Sequence, residues 1–288
     1  MRYQISHTTH YTYSQAVFLG GHILRLRPRS DSHQTLRKFA IEISPTPDIA
    51  SEQIDLLGGD CLGVWFPNEK TSCLKIQTRS EVETHCTLPF NYLIEPWATT
   101  LPLDYPTSVL TGLMPYLHRP LPGTIAATVA DLAQQILYEV DYNLSFFLTT
   151  LNQHIYDRCT YVVREQGAPL PSGITWQQKQ GTCRDFVVLF MDACRAVGVA
   201  ARFVSGYQEG DPDQASHDLH AWVEAYVPGG GWRGFDPTHG LAVADRHIAL
   251  AIGADPKQAA PVTGSLRGGQ PAQSTLTTQI SVKKLDEA

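Results

Sequence analysis

The clearest pattern in the chain lies between Phe186 and Val197. Apolar residues fall at Phe186, Val187, Phe190, Ala193, Cys194 and Val197, a helical period with one broad apolar face. Thr182 is a suitable N-cap and Gly198 a stop signal, so the pattern predicts a buried helix opening near Cys183. Ala200–Tyr207 reads as the following strand, and a polar loop runs from Gln208 to Ser216. Leu219–Val227 then alternates: Leu219, Ala221, Val223, Ala225 and Val227 suit a core, while His220, Trp222, Glu224 and Tyr226 share the opposite face. Pro228–Gly231 is a turn, and Trp232–Asp236 is a return strand stopped by Pro237. Upstream, Thr124–Val140 has strong helical spacing, and a second helix is expected from Ser145 to about Cys159.

The first 95 residues differ in character. Short apolar or alternating runs at Arg2–Tyr13, Gly21–Leu26, Lys38–Ile43, Gln53–Leu57, Gly63–Phe66 and Leu74–Val82 are separated by turn residues, without long helical periodicity. This predicts an all-β, sandwich-like N-terminal domain over 1–95. Pro96, Pro102 and Pro106 mark a linker over 96–120. An α+β core would then occupy 121–288, with a last strand around Leu276–Val282 after a Gly-, Gln-, Pro- and Ser-rich stretch. A chain of 288 residues has room for two cores.

Composition narrows the function classes. The net charge of −6 and the lack of a basic run give no reason to expect nucleic acid or an acidic membrane as partner. The start, Met1–His7, has no apolar signal region, and no apolar run is long enough to span a bilayer. Cys61, Cys73, Cys86, Cys159, Cys183 and Cys194 show no Cys-x-x-Cys spacing and read as reduced thiols of a cytoplasmic protein. The 11 histidines form no His-x-x-x-His pair or Cys/His cluster, so neither metal nor cofactor is expected. No EF-hand-like loop or phosphate-binding Gly-rich loop is present.

The chemistry sits in Gly181-Thr182-Cys183-Arg184-Asp185-Phe186, Leu219-His220-Ala221-Trp222 and Gly234-Phe235-Asp236-Pro237-Thr238. A free cysteine is most often a small buried hydrophobe, as Cys194 is expected to be in mid-helix. A lone strand His is usually structural, and an Asp before Pro is usually a turn former. The three together carry more weight: a Cys at a helix start, where free amides and the dipole favour thiolate, then a strand His, then an Asp on the hairpin partner. They read as a Cys183–His220–Asp236 nucleophilic triad. His217 and Asp218 are rivals at the loop edge, and Glu224 is a fallback for the acid. A symmetric turn pairing Val227 with Trp232 would set Asp236 opposite Val223, on the wrong face for His220. An asymmetric turn or a bulge at Gly231 or Gly234 is therefore predicted, with Asp236 opposite His220 or Trp222.

These motifs, with Arg202–Tyr207 and Gly231–Thr238, resemble the bacterial transglutaminase-like cysteine protease family. Weaker resemblance extends to Tyr3, His10–Tyr13, Leu24–Arg29, Asp55–Trp65, Asp255 and Pro261–Gly264. The resemblance implies a papain-like, transglutaminase-like core with the triad on Cys183, His220 and Asp236. The chain departs from the family pattern at Arg184, where Gln is common, at His239, where Asn is common, and at Cys159-Thr160-Tyr161 with the longer polar loop that follows.

The implied reaction is acyl transfer from an amide or peptide carbonyl through a thioester. The Cys183 amide would be one oxyanion donor, and the second would come from Tyr161, Gln180 or Trp176. The substrate would be a peptide, a protein or a small amide, most simply hydrolysed. Protein-glutamine transamidation and a non-catalytic peptide-binding module of the same fold stay open, as does a protein partner for the N-terminal domain.

Overall fold

The computed structural model describes residues 1–117, 125–164, 167–210, 219–268 and 272–285. The architecture is α+β. It opens with β1 (Arg2–Leu24), β2 (Gln34–Ser44), β3 (Ile49–Ile54), β4 (Asp60–Trp65) and β5 (Lys70–Thr84). These lie in the order β2-β5-β1-β4-β3. Arg2–Tyr13 and Gly21–Leu24 belong to one strand of 23 residues, not to two. The β1–β5 register shifts between Thr12 and Val17, so β1 changes course without ending. Along its first half Tyr3, Ile5, His7 and Thr9 are buried on one face, the period of two expected of a half-covered strand. The strand expected at Gln53–Leu57 stops at Ile54. There the Asp55 carboxylate accepts the amides of Leu57 and Gly59 at 2.9 and 2.8 Å and closes a turn.

A 3-10 turn at Pro96–Ala98 leads into α1 (Thr107–Leu117), α2 (Ala127–Glu139), α3 (Leu144–Arg158), β6 (Thr160–Tyr161), α4 (Ser172–Gln178), β7 (Gln180–Gly181) and α5 (Cys183–Ala196). Then come β8 (Ala201–Gln208), β9 (His220–Val227), β10 (Gly231–Asp236), β11 (Leu241–Ala242), β12 (His247–Gly253), β13 (Val262–Arg267) and β14 (Ser274–Leu285). The stretch expected as a linker thus contains a helix. Leu113 of α1 packs with Tyr105 and Ala200, and this tertiary contact holds a segment whose prolines suggest an open chain.

The five-stranded sheet, in the order β11-β10-β9-β8-β12, is the centre of the molecule. One face is covered by α2, α3 and α5: Ile136, Phe147, Phe186 and Phe190 pack with Ala201, Phe203, Ala221, Val223 and Ala225. The other side meets the N-terminal sheet, where Tyr207, Ile248 and Leu250 join Tyr3, Ile5, Leu74 and Ile76 in one cluster. Both β13 and β14 pair with β1 rather than with the central sheet. The sequence places this tail with the core, but β1 offers it an unpaired edge along most of its length, and pairing satisfies both sets of backbone groups. The N-terminal sheet is therefore built from both ends of the chain.

Candidate active site

Helix α5 presents Cys183 because its start is tied down from several sides. The Asp185 carboxylate, fully buried, accepts from Thr182 N at 2.8 Å and from the Thr182 hydroxyl at 2.9 Å, the return half of a capping box. It also accepts from Arg164 Nη2 at 2.6 Å and Leu170 N at 2.7 Å. Burial alone would push this carboxyl up; the hydrogen bonds from Thr182, Leu170 and Arg164 outweigh it and hold it down. Arg184 turns back, donating to Arg164 O at 2.6 Å. Asp185 and Arg184 thus fix the segment leading into the site. The first intrahelical bonds are Asp185 N and Phe186 N to Thr182 O, so the amides of Cys183 and Arg184 stand ahead of them at the open helix end. Cys194, by contrast, is fully buried on the core face of α5, and burial pushes its thiol well up.

His220 opens β9, and Asp236 ends β10. The hairpin between them is asymmetric: Gly231, not Trp232, lies opposite Val227, and Phe235 lies opposite Val223. Continued by one residue, this register sets Asp236 opposite Trp222, on the face of His220. Gly229 and Gly231 have φ of 85° and 74°, the left-handed conformation that lets this turn close with one residue fewer. Asp236 Oδ2 accepts from His220 Nε2 at 2.8 Å. With Nε2 so engaged, Nδ1 is the ring nitrogen left for the Cys183 thiol, which is near enough to contribute to the rise in the His220 pKa. The three residues named from the sequence therefore lie together. Burial opposes charge on His220, but the Asp236 carboxylate and Cys183 overcome it and push the imidazole up to about 10.

The fallback Glu224 lies further along the same face of β9 and is held by Arg202 at 2.6 Å, away from the His220 ring. The rivals His217 and Asp218 lie outside the described residues. Of the oxyanion candidates, Tyr161 sits opposite Gly181 in the parallel β6–β7 pair, beside the segment that enters Cys183, and is 46 % exposed. Gln180 is exposed on the same pair, opposite Thr160. Trp176 lies half-buried in α4, with the Lys179 ammonium over its ring.

Two residues not singled out as functional complete the site. Asp236 Oδ2 also accepts from His239 Nδ1 at 2.8 Å and His247 Nε2 at 3.1 Å, while Oδ1 takes Thr238 N at 3.0 Å. A carboxylate with no exposed surface is thus surrounded by donors. Burial would raise it, but the charge on His220 and the hydrogen bonds from His220, His239 and His247 hold it well below the usual carboxylate range. His239 has a local signal, three residues after Asp236 in a turn. His247 has none, because folding alone brings β12 to the triad. Nitrogens of His220 and His247 and the Asp236 oxygen lie within 4.8 Å of one another, a spacing that metal ligands also show. Here the Asp236 oxygen is the shared acceptor of both rings. Gly206 makes the crowding feasible. It lies opposite both His220 and Ala249, and a Cβ there would stand 2.5 Å from the Trp222 ring and 2.2 Å from Ile248 O.

The His220–Asp236 pair has a definite pH signature. His220 is raised from 6.5 to about 10, so its stabilisation is complete below about pH 6.5 and is lost as pH rises through about 10. Asp236 is lowered below 3.8, so its contribution is present above that pH and is lost in acid. The stability difference between the wild type and Asp236→Asn, measured by urea unfolding, should be largest between about pH 4 and 6.5 and should shrink steadily toward pH 10. A difference that grows with alkalinity would contradict the charged pair.

Residues 3–83 match the bacterial transglutaminase-like N-terminal region, and residues 130–237 match the transglutaminase-like superfamily. The chain belongs to this superfamily, and its matched core contains Cys183, His220 and Asp236. An uncharacterised protein of Mycobacterium tuberculosis is 28 % identical over 282 residues, covering 91 % of this chain and 87 % of that one. A second, from Mycobacterium leprae, is 24 % identical over 272 residues, covering 93 % and 94 %. A protein-glutamine gamma-glutamyltransferase of Pseudomonas aeruginosa is 34 % identical over 83 residues, only 26 % of this chain and 12 % of that one. Among solved structures, a candidate cysteine protease from Cytophaga hutchinsonii superposes with a TM-score of 0.75 at 21 % identity, over 100 % of this chain and 92 % of that one. That likeness establishes the fold.

Proposed function

We propose that the protein is a cysteine-dependent acyl-transfer enzyme that attacks amide or peptide carbonyls and most often passes the acyl group to water. The observation that carries this reading is the 2.8 Å hydrogen bond from His220 to a fully buried Asp236, with the Cys183 thiol close enough to His220 to help raise its pKa. His220 takes the Cys183 proton, and Asp236 holds the resulting imidazolium. The thiolate attacks the carbonyl carbon, and the oxyanion forms beside the Cys183 amide at the open end of α5. His220 returns the proton to the leaving ammonia or amine, and a thioester remains on Cys183. Water, deprotonated by His220, then releases the acid.

Transamidation is the second reading. It differs only in the acceptor, an amine in place of water, and the partial match to a gamma-glutamyltransferase favours keeping it. Incubation with a Gln-containing peptide and a primary-amine trap separates the two: released ammonia with a free Glu product supports hydrolysis, and amine incorporation supports transfer. In either case, thiol alkylation should stop turnover and EDTA should leave it unchanged, because the proposed chemistry runs through sulfur and imidazole. Activity lost on chelation and restored by zinc or calcium would overturn the mechanism.

A further inference from the structure

We propose that His247 is a positioning residue for the triad, and that the N-terminal sheet region holds it in place, so that this region is part of the catalytic unit. This rests on the Cys183–His220–Asp236 reading but extends beyond the matched core, which ends at residue 237.

His247 is almost wholly buried, and its Nε2–H donates to the same Asp236 oxygen that receives His220. A carboxylate held from one side can rotate; one held by His220, His247, His239 and the Thr238 amide has one orientation left. Burial pushes His247 down, so it serves as a neutral donor while His220 carries the charge. Its other nitrogen, Nδ1, has no hydrogen-bond partner, and neither does Trp222 Nε1. Both residues line a cavity of about 40 Å³, room enough for water between an indole donor and an imidazole acceptor. The ionisable groups around this cavity are Asp31, His33, Cys86, Glu224 and Arg233, with His220, His239 and Asp236 on the triad side.

Pairing with β8 sets His247 opposite Gln208, and contacts from outside the core hold the segment on either side of it. Two residues before it, Asp245 O accepts from the Thr84 hydroxyl at 2.7 Å. Two residues after it, the buried Gln34 side chain brackets Ala249: Nε2 donates to Ala249 O at 3.0 Å, and Oε1 accepts Ala249 N at 2.7 Å. Arg29 N donates to the same Ala249 carbonyl at 3.0 Å. Ala249 lies where the β12–β8 register shifts, so β8 alone does not set its position. The segment carrying His247 is therefore clamped on both sides by residues of the first 84.

The test uses the full chain and reads the rate of Cys183 alkylation by iodoacetamide from pH 5 to 9, alongside kcat and KM on an amide. His247→Leu should slow alkylation at pH 6 by roughly 10- to 100-fold and lower kcat with KM nearly unchanged. His247→Gln, whose amide reaches where Nε2 stood, should recover most of the rate, and the shorter His247→Asn should not. Gln34→Leu combined with Thr84→Val should move the profile in the same direction by about threefold to tenfold. A folded His247→Leu protein with the wild-type profile would overturn the proposal. So would equal rates for the Gln and Asn variants, which also decide the matter if His247→Leu does not fold. A clamp variant with the wild-type profile would remove the N-terminal region from the unit. Alkylation needs no substrate, so a wild type with a responsive thiol and no amide turnover would defeat the proposed function and leave this inference standing.

Discussion

Cys183→Ala is expected to lower kcat on the order of 10⁶-fold, the scale of loss when the nucleophile of a cooperating triad is removed. The fold should persist. Ala is a good helix former, and the capping contacts at the start of α5 come from Thr182 and Asp185 rather than from the thiol. Cys194→Ala gives the opposite outcome. Its sulfur is fully buried in the core cluster, so removal leaves a small cavity costing about 1 kcal/mol, while turnover continues. Urea unfolding and initial rates on both variants separate the roles. An active Cys183→Ala protein with an inactive Cys194→Ala protein would reassign the nucleophile.

Asp236→Ala should damage both chemistry and stability. Three imidazoles lose their common acceptor, and His220 is left as a buried cation without a partner. Breaking a buried pair in this way costs about 3–5 kcal/mol, and losing the group that orients the base costs roughly 10⁴-fold in kcat. Asp236→Asn should lose nearly as much activity with a smaller loss of stability, because the amide oxygen still accepts hydrogen bonds. If Asp236→Ala kept wild-type stability and lost only activity, the histidine cluster would have little structural role.

The three residues that the sequence singled out lie together in the structure, and each sits at a punctuated local feature. Cys183 follows a capping Thr at the start of a periodic helix. His220 begins an alternating strand, and Asp236 ends its hairpin partner before a proline. Even the asymmetry of the Pro228–Gly231 turn followed from parity, since a regular turn would have pointed Asp236 away from His220. What the sequence did not show is non-local. His247 reaches Asp236 only because β12 packs beside β8, and Gln34 reaches Ala249 across more than two hundred residues. The pairing of β14 with β1 likewise has no local signature, since an alternating strand does not name its neighbour. Helix α1 was hidden by its proline-rich approach, and it is held by contacts with Tyr105 and Ala200 rather than by a marked periodicity of its own.

The central claim is that Cys183 forms a thioester with the acyl group of an amide. Intact-protein mass spectrometry after rapid acid quench, across a panel of peptides and small amides, tests it most directly. The account predicts a mass increase equal to the acyl fragment on the wild type, mapped to the peptide containing Cys183, reversed by hydroxylamine and missing from Cys183→Ala. Turnover without any such adduct under conditions that trap it, or an adduct mapped to another cysteine, would contradict it.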